Sequence, residues 1–320
     1  MRFLFPIARS LAPLLAGLAL ATTACRLGAQ GPTPGELWRE FSGARAFAHV
    51  EKLVALGPRP SGSRALEQAR QFLEIELADS GWVVEREVFR EGTPRGSIEF
   101  VNLIARFGGA SAKDPRAIVS THYDTKYFEK IIFVGANDGG SGTGALLELA
   151  RVLALRPDFA RRFELVFFDG EEAAVNFSPF DGLDAVPRID GLHGSRHYAR
   201  TLRDSGRAKQ FRVGVLWDMI GDRDLGITIP SDSPPKLTRG IFASADALNL
   251  RANFHLLNTP MLDDHVPLNR AGIPTIDLID FDFPPWHTAG DTMETIAPGS
   301  LEVVGRVTLH YLGGGTAGLE

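Results

Sequence analysis

The constraint that bears hardest on the fold is an alternation in the second half of the chain. Short apolar runs at 117–120, 163–168, 213–217 and 274–279 are separated by helical patterns at 145–155, 194–202 and 237–248, and a last helical pattern follows at 301–312. Apolar runs joined through helices are strands covered on both faces, which calls for a sheet with a parallel core and helices packed on each side. The expected fold is therefore α/β: a single globular domain with a central mixed, largely parallel sheet flanked by helices. Ahead of this region, apolar residues at helical spacing predict one amphipathic helix over 36–56 and a second from Ser63 to the stop at Ser80-Gly81. Strands are predicted at 82–89 and 98–106, with Glu91-Gly92-Thr93-Pro94 as the turn between them.

In sheets of this kind ligands bind beyond the carboxyl ends of the strands. The polar residues fall there: His122 and Asp124 after the first run, Glu171 and Glu172 after Phe167-Phe168-Asp169-Gly170, Asp218 after the third, Trp286 and His287 after the fourth. Asp138 lies in the glycine-rich loop 134–142, which opens a helix. Neighbouring side chains on an extended or turning backbone point different ways, so Glu171 and Glu172 can divide their work between a proton and a metal. Asp138, Glu172 and His287 form an oxygen and nitrogen donor set suited to zinc with one position open, which leaves Glu171 free as a general base. Acids crowded on one rim raise one another's pKa, and a cation makes the crowding tolerable.

Each feature alone has a plainer explanation. A glycine-serine loop is a common turn, and this one lacks the Gly-Lys-Ser/Thr of a phosphate loop. A Glu-Glu pair after a strand suits an ordinary helix start. His193, His197, His255 and His310 read as surface or packing residues, and Tyr123, Phe128 and Phe133 as packing or pocket wall. The convergence of the set on successive strand ends is what argues for chemistry, together with Asp218, an acid at the end of a buried run.

A chain of 320 residues holds one large core or at most two domains. With a formal charge of −5 and arginines dispersed along the sequence, nucleic acid is excluded as a partner. Met1-Arg2, the apolar stretch 11–21 and Thr22-Thr23-Ala24 before Cys25 have the layout of an export signal over 1–25, followed by a linker over 26–35 and a zinc-dependent catalytic domain over 36–320. A buried N-terminal helix fits these flanks less well. Cys25 is the sole cysteine, so no intramolecular disulfide can form. Lipid attachment at Cys25 and plain cleavage near Ala24 or Ala29 both remain open. The expected location is periplasmic or extracellular, with membrane anchoring as a lipoprotein if Cys25 is acylated.

From 56 to the last helix the residues resemble the zinc-dependent exopeptidases and the glutaminyl cyclases (glutaminyl-peptide cyclotransferases) that share their fold. The superfamily pattern is His122-x-Asp124, Asp138, Glu171-Glu172, Asp218 and His287. The cyclase-like features are His122-Tyr123-Asp124-Thr125-Lys126-Tyr127-Phe128, Glu171-Glu172-Ala173, Gly194-Ser195-Arg196-His197, Asp263-Asp264-His265-Val266-Pro267 and Phe283-Pro284 before Trp286-His287-Thr288. The resemblance implies one zinc on Asp138, Glu172 and His287, with Glu171 as acid/base, Asp218 as a second catalytic acid and Asp263 as the hydrogen-bond partner of Asp218. It implies a substrate pocket lined by Trp286 and Phe283, with Phe177 where the cyclases tend to have tryptophan. The implied reaction converts an N-terminal glutamine of a peptide or protein to pyroglutamate with loss of ammonia, by a monomer. The loop 137–143 looks more like that of a peptidase. The alternative is a two-zinc aminopeptidase, in which His122 and Asp218 hold a second metal, Asp138 bridges and Glu171 activates water. A non-catalytic binding domain on the same fold is a third reading, which the intact acid and histidine set opposes.

Overall fold

The computed structural model describes residues 1, 31–111, 113–177, 179–181, 187–314, 317 and 319. The expected signal segment and Cys25 lie outside the described residues. The body from Pro32 onward forms one compact unit. Its strands are β1 (Trp82–Thr93), β2 (Gly96–Phe107), β3 (Ala117–His122), β4 (Phe163–Phe168), β5 (Pro179–Asp181), β6 (Pro187–Ile189), β7 (Val213–Asp218), β8 (Ile227–Ile229), β9 (Phe254–Leu256) and β10 (Thr275–Ile279). Its α-helices are α1 (Gly43–Val54), α2 (Arg64–Asp79), α3 (Gly140–Ala154), α4 (Pro157–Ala160), α5 (His193–Asp204), α6 (Pro235–Ala247), α7 (His265–Arg270) and α8 (Pro298–Gly313).

Eight strands form one sheet in the order β1-β2-β4-β3-β7-β10-β8-β9, and β5 pairs with β6 in a separate hairpin. The central four, β4-β3-β7-β10, run parallel, while β1, β2 and β8 join antiparallel. The expected mixed sheet with a parallel core is therefore present. Side-chain alternation divides the core between its two faces. Ala117, Val119, Phe163, Leu165 and Phe167 join a large cluster with α1, α2, α3, α6 and α8. Ile118, Val166 and Phe168 point the other way, onto Tyr198, Ala199 and Leu202 of α5 and Leu268 of α7. No described helix is long and apolar enough to cross a membrane.

The helix predicted over 36–56 is two elements. A 3-10 turn at Pro34–Glu40 ends at Phe41, whose backbone is extended, and Ser42 then caps α1 by accepting the N–H of Arg45. The Ser42 N–H donates to buried Glu148 (3.0 Å). Apolar spacing runs straight through such a polar break, which is why it does not register in the periodicity. The first hairpin is longer than expected. Its strands continue through Thr93 and Gly96, and the turn is Pro94-Arg95, where the Thr93 hydroxyl donates to Gly96 O (2.8 Å). The short strands β8 and β9 and the six-residue α7 carry too few residues to show a period.

Candidate metal centre and active site

The carboxyl ends of the parallel strands deliver the polar set to one place. His122 ends β3 and Asp218 ends β7, while the loops after β4 and β10 carry Glu171-Glu172 and His287. Asp138 arrives on the loop before α3. That loop turns at Gly139 with φ +76°, and a Cβ there would stand 2.5 Å from Asp124 O and 3.0 Å from the His122 ring. Only glycine meets both demands. Gly170, at φ +74°, makes the corresponding turn ahead of the two glutamates.

Two donor trios share Asp138. In the first, His287 Nε2 lies 3.1 Å from Glu172 Oε1 and 3.4 Å from Asp138 Oδ2. In the second, His122 Nε2 lies 3.2 Å from both Asp138 Oδ1 and Asp218 Oδ1. Tetrahedral zinc with ligands at roughly 2.0–2.1 Å needs its donor atoms about 3.3 Å apart; the histidine-to-carboxylate distances in both trios have that spacing, and all three donor atoms of each lie within 4.8 Å of one another. Asp138 Oδ2 and Glu172 Oε2 are buried without a hydrogen-bond partner. Electrostatics point the same way. Burial opposes a charge on His287, yet Asp138 and Glu172 overcome it and raise the ring to about 9. His122 is likewise raised well above the ordinary imidazole value by Asp124, Asp138 and Asp218 against the burial that opposes it. Glu172 and Asp218 are both pushed up by burial, with Asp138 adding to each. Of these acids Asp138 alone is held below the usual carboxylate range, by His122 and His287 against its burial; buried acids pushed up and histidines pushed up beside them are what a divalent cation at the shared Asp138 would relieve.

Several groups hold this set in place. Asp291 accepts the backbone N–H of Asn137 (2.7 Å) and of Asp138 (3.0 Å). Asp124 accepts the N–H of Glu171 at 3.3 Å and stands 3.4 Å from His122 Nδ1. His287 itself has φ +54°, and Met219, directly after Asp218, has φ +45°. Such backbones cost on the order of 1 kcal/mol or more and persist where surroundings overdetermine them. Trp286 stacks on the His287 ring at 4.1 Å, and Phe128 and Phe133 meet it edge-on at 5.8 Å each. These two phenylalanines act by packing: they fix the plane of the His287 ring.

The pocket over the trios has a volume of about 60 Å³ and is lined by Glu171, Asp218, Asp263, Phe177, Leu262, Phe281 and Trp286, among others. Larger cavities of about 360 and 440 Å³ lie elsewhere, and neither includes a ligating trio. Glu171 and Glu172 do diverge. Glu172 bonds His287, whereas Glu171 faces the pocket and is pushed well above the carboxylate range by burial, with Glu172, Asp263 and Asp264 adding and His122 opposing.

Two expectations need correction. Phe283 does not line the pocket; it is buried behind it against Met219 and Ile279, and the wall is Phe281, tilted on Trp286 at 5.2 Å. No hydrogen bond joins Asp263 to Asp218 among the described residues. Asp218 pairs with His122, and Asp263 sits in a buried group with His265 and Asp277, where burial and then Asp218 push it up to about 6. His193, read as surface or packing, is buried and bonded to Glu91 (2.8 Å). Asp291 and Leu262 were not singled out from the sequence. Asp291 works on backbone N–H groups far earlier in the chain, and nothing local to it signals that.

The sequence profile of peptidase family M28 matches residues 102–312. The chain belongs to peptidase family M28. Within reach of this M28 chain, a glutaminyl-peptide cyclotransferase of Boiga irregularis is 29% identical over 291 residues, covering 81% of this chain and 78% of the relative. The structure of an Acidobacteriales bacterium glutaminyl cyclase superposes with a TM-score of 0.75 at 33% identity, covering 85% of this chain and 94% of that one. A leucine aminopeptidase precursor from Bacteroides thetaiotaomicron superposes with a TM-score of 0.73 at 25% identity, covering 85% and 97%. Both activities named among these relatives thus occur on the fold of this chain.

Proposed function

We infer that this M28 chain is a zinc-dependent glutaminyl-peptide cyclotransferase, an acyltransferase that closes the N-terminal glutamine of peptides or proteins to pyroglutamate and releases ammonia. The observation that carries the reading is the divergence of Glu171 from Glu172 in a pocket of about 60 Å³, room for one reacting side chain beneath Trp286. Asp138, Glu172 and His287 would hold the zinc, which when bound supplies a Lewis acid for the glutamine carboxamide. Glu171 takes the proton of the attacking α-amine and returns it to the departing nitrogen, so that the N–Cδ bond forms as the Cδ–Nε bond breaks. Burial, which raises its pKa, makes Glu171 a stronger proton acceptor. Asp218 and Asp263, which both line the pocket, hold the amine in line, while Trp286, Phe281 and Phe177 keep water from competing.

The His122, Asp138 and Asp218 trio favours a second reading, a two-zinc aminopeptidase. Ammonia release from a glutaminyl substrate, leucine release from a leucyl substrate and zinc per chain decide between them. One zinc with ammonia release supports the cyclase; two zincs with leucine release reject it. Export through residues 1–25, with Cys25 as a lipid anchor, belongs to the same proposal, and membrane fractionation of Cys25→Ala against the parent chain tests the anchor.

A further inference from the structure

Across Leu262 from the acidic pocket lies a second cavity of about 260 Å³, walled by α5 and α7. Leu262 lines both. Buried Leu192 and Ala199 form the floor, with Val266 and Pro267 on one side. Around them stand four guanidinium groups: Arg196, Arg200 and Arg203, spaced along one face of α5, and Arg270 in the last turn of α7. Glu91 lies 3.2 Å from Arg196 and 3.9 Å from Arg200, and Asp204 lies 3.0 Å from Arg203. Arg270 makes no ion pair among the described residues. Among the described residues that line the cleft every charged side chain is an arginine, and the acids Asp138, Glu171, Glu172, Asp218 and Asp263 line the neighbouring pocket.

We propose that this cleft receives the residues that follow the substrate's N-terminal glutamine and selects acidic side chains there. The inference rests on the cyclase reading. The pocket holds only the reacting residue, so the rest of the peptide must leave across its rim. On one side the rim is Phe281, Asp282 and Trp286, exposed rings beside an acid that would repel an acidic chain. On the other it is Leu262, and beyond that the arginines. A peptide with its amine among the carboxylates and its acids over the cleft matches the charge of the surface along its length. Guanidinium forks bind carboxylates through paired hydrogen bonds, and the apolar floor takes the methylenes of a glutamate.

The test compares labelled Gln-Ala-Glu-Glu and Gln-Ala-Lys-Lys amides, reading affinity by fluorescence anisotropy and turnover by ammonia release. The parent chain should prefer the acidic peptide by about 3- to 10-fold in kcat/KM and in affinity. The preference should shrink at about 0.5 M salt, as screening of exposed charges requires. In Arg200→Glu/Arg270→Glu, with its melting temperature checked, the ratio should fall to one or invert. Equal affinities for the two peptides, or a preference that survives the double substitution, overturn the proposal. So does binding to phosphatidylglycerol vesicles that the double variant loses while peptide affinities stay equal, which would assign the cleft to a membrane surface. Acid-selective binding without ammonia from either peptide rejects the cyclase reading and leaves the cleft standing.

Discussion

At the scale of single residues, the two neighbouring glutamates have different surroundings, and the proposed function divides its chemistry between them. Glu171→Gln should lower ammonia release by about 10²- to 10⁴-fold while zinc stays bound, since a carboxamide cannot cycle a proton; metal loss in that variant would mean the two roles are exchanged. Asp291 acts through Asp138 rather than on substrate. An amide at 291 would set an NH₂ against one of the two N–H groups it now accepts, so Asp291→Asn should weaken zinc binding by about 10- to 100-fold, read by competition with a chelator. A third residue, His193, bears on stability. Burial opposes a charge on His193, but hydrogen bonds to Asp190 and Glu91 outweigh it and raise the ring, while Glu91 and Asp190 are lowered by the same contacts against their own burial. The imidazolium's share is fully present below the ordinary histidine value of about 6.5 and is lost as pH rises through the raised value. The carboxylates' share is present above their ordinary values and is lost as pH falls through their lowered ones. The melting-temperature gap between the parent and His193→Gln should therefore be widest at mildly acidic pH and narrow on the alkaline side; a gap independent of pH would contradict the charged triad.

Elements hold the site by packing as closely as backbone allows. Helix α1 lies against α3 with nothing between them at Gly144, where a Cβ would stand 2.5 Å from Val50 Cγ2 and 2.7 Å from Ala46 O. Because α3 follows directly on the loop that carries Asp138, its seating sets the position of Asp138. Gly144→Ala should cost about 1–3 kcal/mol by overpacking, visible as a lower midpoint in urea, despite the better helix propensity of alanine. A neutral or stabilising result would show that α1 yields without cost. Regular elements were largely legible in the sequence: β4 runs from Phe163 to Phe168 as its apolar run does, and α2 begins after Ser63. The helix break at Phe41 and Ser42 was not, because capping depends on a serine hydroxyl and on a carboxylate contributed by α3.

For the whole molecule, the parallel sheet concentrates acids that repel one another unless a cation joins them. Removing zinc with a chelator should lower the melting temperature and restoring it should reverse the loss, with stabilisation of roughly 4 kcal/mol when free zinc is a thousandfold above its dissociation constant. An unchanged transition would argue against metal at the shared Asp138. The sequence by itself determined the α/β class and singled out Asp138, Glu172 and His287, which the structure brings together, because strand period and residue chemistry are local properties. Only the tertiary structure decided which side chains face one another. It replaced Phe283 by Phe281 in the pocket wall, parted Asp263 from Asp218, and brought Asp291 beneath Asp138 and Arg270 beside α5. Those relations join segments far apart in the chain, and they are set by how strands register and helices seat, which no single stretch of sequence contains.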